Sequence, residues 1–349
     1  MRLIILTSKA TSLLNVSRDI AYVASKIKIT PRIIKRPVHI DDIDELCDIC
    51  IMVYPASPLF CTPYFLFYRD WKTYIRKPII FYTTIEGRPT KRHISKWMVD
   101  SVEFVANSKY TYDRLVEVGF SVKGIVPHGI VRETVEEAKK LVPTVRKELE
   151  KIHQNKVIFG AVAFYHIRKG LNYLARAVNI LQKKRDDFVV HLVTSRATLE
   201  AIKPSAHLYI DTVFGTRSRE EILAFLGACD FVIIPSLAEG FGLPLLEANA
   251  MGTPSLYCRY EPLTEVGDPQ YNLTFDYEVV RFCDIGEGIE YELHIYNPKK
   301  LAEMMDYAID MYKKDYDTYK KASEQVKGVI EKFDAEKVYL ELFRLLAKK

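Results

Sequence analysis

The sequence predicts an α/β protein made of two doubly wound units, each a parallel β-sheet with helices packed on both faces. Three observations lead there. Short β-branched and aromatic runs alternate with helix-like stretches along the chain. The runs are continuously apolar rather than alternating, as befits strands buried on both faces. A length of 349 residues at 48% hydrophobic content suffices for two cores of ordinary domain size.

Taken in order, "RLIILTS", "CIMVYP", "PIIFYTT" and "EFVANS" predict the strands of a first unit spanning residues 1–130. The seam follows "VPHGI", residues 126–130, after which "RETVEEAKKLVPTVRKELEK" predicts a charged helix opening a second unit, residues 131–332. Its strands are "KVIFGAVAF", "FVVHLVTS", "DFVIIPS" and "TPSLYC". Between them, "GLNYLARAVNILQKK" puts Leu171, Leu174, Ala175, Val178 and Leu181 on one helical face. "SREEILAFLGACD" opens with a capping box of Ser218 and Glu221. Residues 261–297, rich in Tyr, Asp and Gly, predict loops over one edge of the second sheet, and 298–349 a tail helical throughout.

Composition narrows the function classes. No apolar run approaches the roughly 20 residues of a membrane-spanning helix, and "MRLIIL" breaks into polar "TSKATS" too soon for a signal sequence, so a cytoplasmic protein is expected. Of six cysteines only Cys47 and Cys50 form a CxxC pair, and without a second pair they are core thiols rather than a zinc site. Four glutamines beside 50 Lys+Arg lean towards a thermophilic source. Residues 1–130 carry 19 Lys+Arg and 12 Asp+Glu, so the net +5 of the chain is concentrated in the first unit. Nucleic acid, anionic lipid or a phosphorylated substrate each fits such a bias.

The stretch "EGFGLPLLEANAMG", residues 239–252, carries the chemistry. The strand "DFVIIPS" ends at Ser236, a loop runs to Pro244, which suits a first helical position, and the helix stops at Gly252. Free amides at Gly242, Leu243 and Leu245 and the positive end of the helix dipole predict an anion site. Gly240 and Gly242 let a ligand approach the backbone closely. Glu239 and Glu247 would repel a phosphate, so they suit vicinal hydroxyls on the same ligand, each oxygen accepting one charge-assisted bond. A diphosphate between two polyols is a nucleotide sugar.

The segment "PSLAEGFGLPLLEANAMGTP" resembles the E-x7-E signature of retaining glycosyltransferases of the GT-B fold, family GT4. Further segments resemble that family in its order. "FVANSKYTYDRL" and "VPHGI" are similar to the end of its first domain, "RKGLNYLARA" to its "KG" turn, and "VFGTRSREEILAFLGACDFVIIPS" to the run into the signature. The resemblance implies two Rossmann-like domains facing a cleft, an acceptor side in residues 1–130 and a donor side in 131–332. A C-terminal helix of about 333–349 would return to the first domain.

By the same resemblance, Glu239 meets the donor sugar and Glu247 the nucleotide ribose, while the amides of Phe241, Gly242 and Leu243 face the sugar and diphosphate. Lys169 neutralises the leaving diphosphate, with no metal ion or other cofactor. The family's arginine, five residues before that lysine, is replaced by Phe164, and Arg168 is the candidate substitute; His166 reads as a loop histidine. Ser236 and Gly215 complete the donor-side set, with base contacts through the backbone near Ser195 and Gly215. In the first unit "TSKATSLL" lacks the paired glycines common in the family, and Thr83, Thr84 and Glu86 stand where it often has a histidine. Glu86 is the choice for polarising an acceptor hydroxyl, unless Arg88 neutralises it.

Two stretches compete for other readings. "YPASPLFCTPYFLFYRDWKTYIRKP", residues 54–78, sets aromatics beside Arg69, Lys72, Arg76 and Lys77, a surface for peripheral membrane contact and a lipid-linked acceptor, or a core helix with a basic outer face. A D-x-D at Asp42 and Asp44 mimics a metal-dependent glycosyltransferase but opens a short helix and reads as capping charge. The expected partners are a nucleotide-sugar donor and a glycan, lipid-linked or protein acceptor, not a nucleic acid. A nucleotide-sugar epimerase of the same fold and a non-catalytic nucleotide-sugar or nucleic-acid binding module remain the alternatives.

Overall fold

The computed structural model describes residues 1–35, 47–60, 77–91, 94–213 and 215–347, with Pro58 and Leu59 by backbone alone. The Asp42 and Asp44 pair, Cys61 and Arg69, Lys72 and Arg76 of the aromatic stretch lie outside the described residues. Two compact units emerge, one of Met1–Val131, Phe282–Glu292 and Phe333–Lys349, the other of Arg132–Arg281 and Leu293–Lys332.

The first unit is a six-stranded sheet: β1 (Arg2–Thr7), β2 (Thr30–Ile34), β3 (Ile49–Pro55), β4 (Ile79–Thr84), β6 (Glu103–Ala106) and β7 (Ser121–Ile125). Its order is β2-β1-β3-β4-β6-β7 and every pairing is parallel. Helix α1 (Thr11–Lys26) buries Leu13, Val16, Ile20 and Val23, one apolar stripe at helical spacing. Helix α2 (Lys109–Val116) is capped by Ser108, whose side chain accepts from the Thr111 amide. The short β5 (Gly87–Pro89) pairs antiparallel with residues 289–291. In "VPHGI", His128 is buried between Tyr82 (2.8 Å) and Asn107 (3.1 Å). The Gly129 amide donates to the hydroxyl of Tyr339 on the C-terminal helix Ala335–Ala347. Cys47 and Cys50 are fully buried.

The second unit holds β8 (Val157–Val162), β9 (Phe188–Val193), β10 (Leu208–Asp211), β11 (Phe231–Ile234), β12 (Ser255–Cys258) and β13 (Leu273–Phe275). They pair in parallel in the order β10-β9-β8-β11-β12-β13. Strands β9, β11 and β12 are buried along their whole length, which accounts for their largely apolar sequences, with His191 in β9 and Ser255 in β12 as buried polar residues. Helix α3 (Arg132–His153) is fastened by Arg146, whose Nη1 donates to Asp230 Oδ1 at 2.7 Å, while Asp230 Oδ2 accepts from the Ile158 amide. Helix α4 (Leu171–Leu181) buries Leu171, Leu174, Ala177, Val178 and Leu181, so Ala177 rather than Ala175 completes the expected face. Helix α5 (Arg219–Ala228) begins with the capping box of Ser218 and Glu221.

Residues 261–297 are more ordered than expected. Strand β13 extends the sheet edge beside β12, and further strands run over Val279–Asp284 and Ile289–Ile295. Within the tail, helices over Pro298–Lys314, Tyr316–Val326, Val329–Lys332 and Ala335–Ala347 are separated by breaks. Among the described residues no helix is long and apolar enough to cross a membrane.

Candidate active site

The strand order of the second sheet reverses direction between β8 and β11, its two central neighbours. In open parallel sheets the loops leaving the carboxyl ends of such a pair diverge and leave a crevice for ligands. Here those loops are residues 163–170 and 235–242.

The two loops are tied together by backbone. Amides of Leu237 and Ala238 donate to the Arg168 carbonyl at 2.7 and 3.3 Å. Gly170 has φ +62, and a Cβ built on it would come within 1.9 Å of the Pro235 oxygen. Only glycine fits both the left-handed backbone and that approach. On the far side, Tyr296 and Tyr260 donate to the carbonyls of Pro235 and Ser236, each at 2.9 Å, and the His294 amide to that of Leu237 at 2.8 Å. The Tyr260 and His294 rings stack with centroids 4.1 Å apart. Three successive carbonyls are thereby fixed.

This frame presents Glu239, only 7% exposed. Its Oε1 accepts from Lys169 Nζ at 2.5 Å and from Ser236 Oγ at 2.6 Å, and Arg168 Nη1 lies 3.6 Å from Oε2. Burial raises the carboxyl, but the charges of Lys169 and then Arg168, with the bonds from Lys169 and Ser236, outweigh it. Glu239 is held below the ordinary carboxylate range. It is an anion sheltered from water beside two cations.

Past Glu239 the chain turns into helix α6 (Leu243–Ala250) through Gly242, whose φ is +101. A Cβ there would sit 2.5 Å from Leu263 Cδ2. Among the described residues the Gly242 and Leu243 amides have no hydrogen-bond acceptor, the condition for an anion site at a helix start. Leu245 departs from expectation. Its amide donates to the Gly242 carbonyl at 3.0 Å, closing the first turn, and is spent. Pro244 is the second helical residue rather than the first. Phe241 buries its ring and can serve a ligand only by its backbone.

Glu247, on the second turn of α6, is nearly buried and faces Arg219, the first residue of α5, with Arg219 Nε 3.4 Å from its Oε1. Each glutamate of the pair thus has its own cation.

Of the other expected residues, Arg168 points the same way as Lys169, onto Glu239, with Phe164 5.7 Å from its guanidinium carbon. His166 caps the short 3-10 turn Ile167–Lys169, accepting from the Arg168 amide. Gly215 (φ +81) lies in an exposed turn ahead of α5. Glu86 belongs to the first unit, between β4 and β5, and its carbonyl accepts from the Glu292 amide. The Arg88 guanidinium sits 4.0 Å above the Phe282 ring. Thr83 is buried and bonded to the Tyr54 carbonyl. Arg219, Tyr260, His294 and Tyr296 went unmarked in the sequence; Arg219's one signal is its seat directly after the capping Ser218.

Residues 154–276 match the family described as Glycosyl transferases group 1. Along nearly its whole length the chain is similar to Uncharacterized glycosyltransferase 335 of Sulfolobus islandicus rod-shaped virus 1, 31% identical over 344 residues, 97% of this chain and 98% of that protein. The chain belongs to the group 1 glycosyltransferases. A shorter likeness, 40% over 108 residues, 29% of the chain and 25% of the relative, is to the MMP alpha-(1->4)-mannosyltransferase of Mycolicibacterium hassiacum. HepE of Anabaena, solved in complex with UDP-glucose, superposes with a TM-score of 0.71 at 14% identity over 100% of both chains. This glycosyltransferase therefore has the GT-B fold, with two Rossmann-like domains. The stretch matching the family contains Lys169, Arg219, Glu239 and Glu247, and the whole of α6.

Proposed function

We propose that this glycosyltransferase, as a GT4-type enzyme, moves a hexosyl group from a nucleoside-diphosphate sugar to an acceptor hydroxyl, with retention of anomeric configuration and without a metal ion. The observation that carries the reading is the Glu239 anion, gripped by Lys169, Arg168 and Ser236 one loop before the open amides of Gly242 and Leu243. HepE, of the same fold, is described with UDP-glucose, and a mannosyltransferase is among the relatives, which supports a hexosyl donor.

In this reading Glu247 clasps the ribose hydroxyls and the Gly242 and Leu243 amides, with that of Phe241, take the diphosphate and sugar. Ser236 holds Glu239 towards the sugar hydroxyls, and the backbone near Gly215 meets the base. As the bond between the anomeric carbon and the β-phosphate oxygen breaks, its electron pair leaves with the diphosphate. Lys169 and the helix start stabilise that growing charge more than they stabilise the bound donor. Arg168 supplies the second positive charge in place of the arginine absent at position 164. The acceptor oxygen bonds to the anomeric carbon on the face the diphosphate left as its O–H bond breaks, the proton passing to the departing diphosphate oxygen, and Glu86 polarises the acceptor hydroxyl.

Donor hydrolysis tests this without knowing the acceptor. With UDP-glucose and GDP-mannose in excess chelator, slow release of nucleoside diphosphate is expected, the liberated sugar appearing first in the donor's own configuration by NMR. Release is lost in Glu247→Ala. Appearance of the opposite anomer, or dependence on added metal, contradicts the mechanism; a donor converted to another nucleotide sugar with no diphosphate released indicates an epimerase.

A further inference from the structure

We propose that Arg219 is a positioning residue for the nucleotide ribose: it holds the Glu247 carboxylate ionised and in one orientation before the ligand arrives. This rests on the reading of Glu247 given above and adds to it a residue from a different helix.

Both side chains are about nine-tenths buried, and Arg219 Nε lies 3.4 Å from Glu247 Oε1. A lone carboxylate buried there would be desolvated, and would also repel a diphosphate bound at the start of its own helix. Either effect favours protonation, which removes half of its capacity to accept from a pair of hydroxyls. A fixed guanidinium cancels both, because it neutralises the site without occupying the helix start.

The placement of Arg219 is itself over-determined. Ser218 Oγ accepts from the Glu221 amide at 3.1 Å while the Ser218 amide donates to Glu221 Oε2 at 2.6 Å, so the backbone at the first helical residue is set from both sides. From that position the side chain reaches α6, whose own start is fixed by Gly242. Glu247 thus has in Arg219 a cation of its own, as an ion pair at 3.4 Å rather than the hydrogen bond that Lys169 gives Glu239, and the ordering cost is met at folding rather than at binding.

The test compares affinity for a nucleoside diphosphate, whichever of UDP and GDP the wild type binds, with affinity for its 2′,3′-dideoxy form, by titration calorimetry. The wild type is expected to prefer the hydroxylated ligand by about 10-fold or more, and Glu247→Gln to lose that preference. In Arg219→Gln the preference falls to about 2-fold or less, while dideoxy affinity changes by less than about 3-fold, which also reports a folded protein. Arg219→Lys, which keeps the charge but not the planar fork, gives an intermediate preference and serves as the decisive variant if Arg219→Gln does not fold. If Glu247→Gln loses the preference and neither Arg219 variant does, the role of Arg219 is wrong and that of Glu247 stands. If Glu247→Gln keeps it, or the wild type binds neither nucleotide, the ribose reading itself fails and the inference falls with it.

Discussion

Lys169 Nζ donates to Glu239 Oε1 at 2.5 Å, joining the loop after β8 to the loop after β11 where the strand order reverses. The contact sets a cation against a buried carboxylate. In the proposed reaction the lysine is shared between that carboxylate and the leaving diphosphate, and its value lies in the charge that develops as the bond breaks.

Lys169→Gln is therefore expected to lower kcat for donor hydrolysis by about 10²- to 10³-fold, with a smaller effect on nucleotide affinity. Steady-state kinetics beside calorimetric Kd values give the split. A kcat within about 3-fold of wild type would remove Lys169 from the chemistry.

Gly170→Ala forces a side chain into a φ of +62 and onto the Pro235 oxygen, 1.9 Å from the new Cβ. A loss of about 2 kcal/mol or more in stability is expected, together with most of the activity, because the tie between the loops slips. Gly286→Ala is the control. It also has positive φ (+84) but nothing within 4 Å of the added Cβ, so about 1 kcal/mol is expected, from the backbone alone. Equal urea midpoints for the two variants would refute the close-approach explanation.

His153 and His191 bond ring to ring at 2.9 Å inside the second unit, His191 also facing Asp211 at 3.6 Å. Burial, then Lys156, pushes His153 down to about 4; burial, then His153, does the same to His191 against the pull of Asp211. Both are neutral at pH 7. An unfolded histidine titrates near 6.5, so between about pH 6.5 and 4 the unfolded chain binds more protons, and stability falls as pH falls through that window. Between pH 7.5 and 5 a loss of about 2 kcal/mol per histidine is expected from urea unfolding. His191→Phe, which keeps the ring contacts with Tyr209 and Phe225, shows a shallower fall. An unchanged slope would show that the pair does not control it.

The legible parts of this protein were those written locally. The central strands β3, β8, β9, β11 and β12 stand out because most of their residues are buried and apolar, with His191 and Ser255 the polar exceptions. Edge strands escape: β2 reads "TPRII" and β7 "SVKGI", each half exposed, so neither carries an unbroken apolar run. Glu239, Gly242 and Glu247 could be found because one turn and one helix hold all three. The partners that position them come from afar. Arg219 lies on another helix, and Tyr260, His294 and Tyr296 act through hydroxyl, amide and ring contacts to backbone that residue identity does not encode. The Leu245 amide failed as a ligand for a local reason, since a helix that starts at Leu243 already uses it.

The most direct test of the account is a crystal structure with a nucleoside diphosphate bound. The diphosphate is predicted to lie against the Gly242 and Leu243 amides, within reach of Lys169, with the ribose hydroxyls on Glu247. A nucleotide bound elsewhere, with the start of α6 untouched, would contradict it.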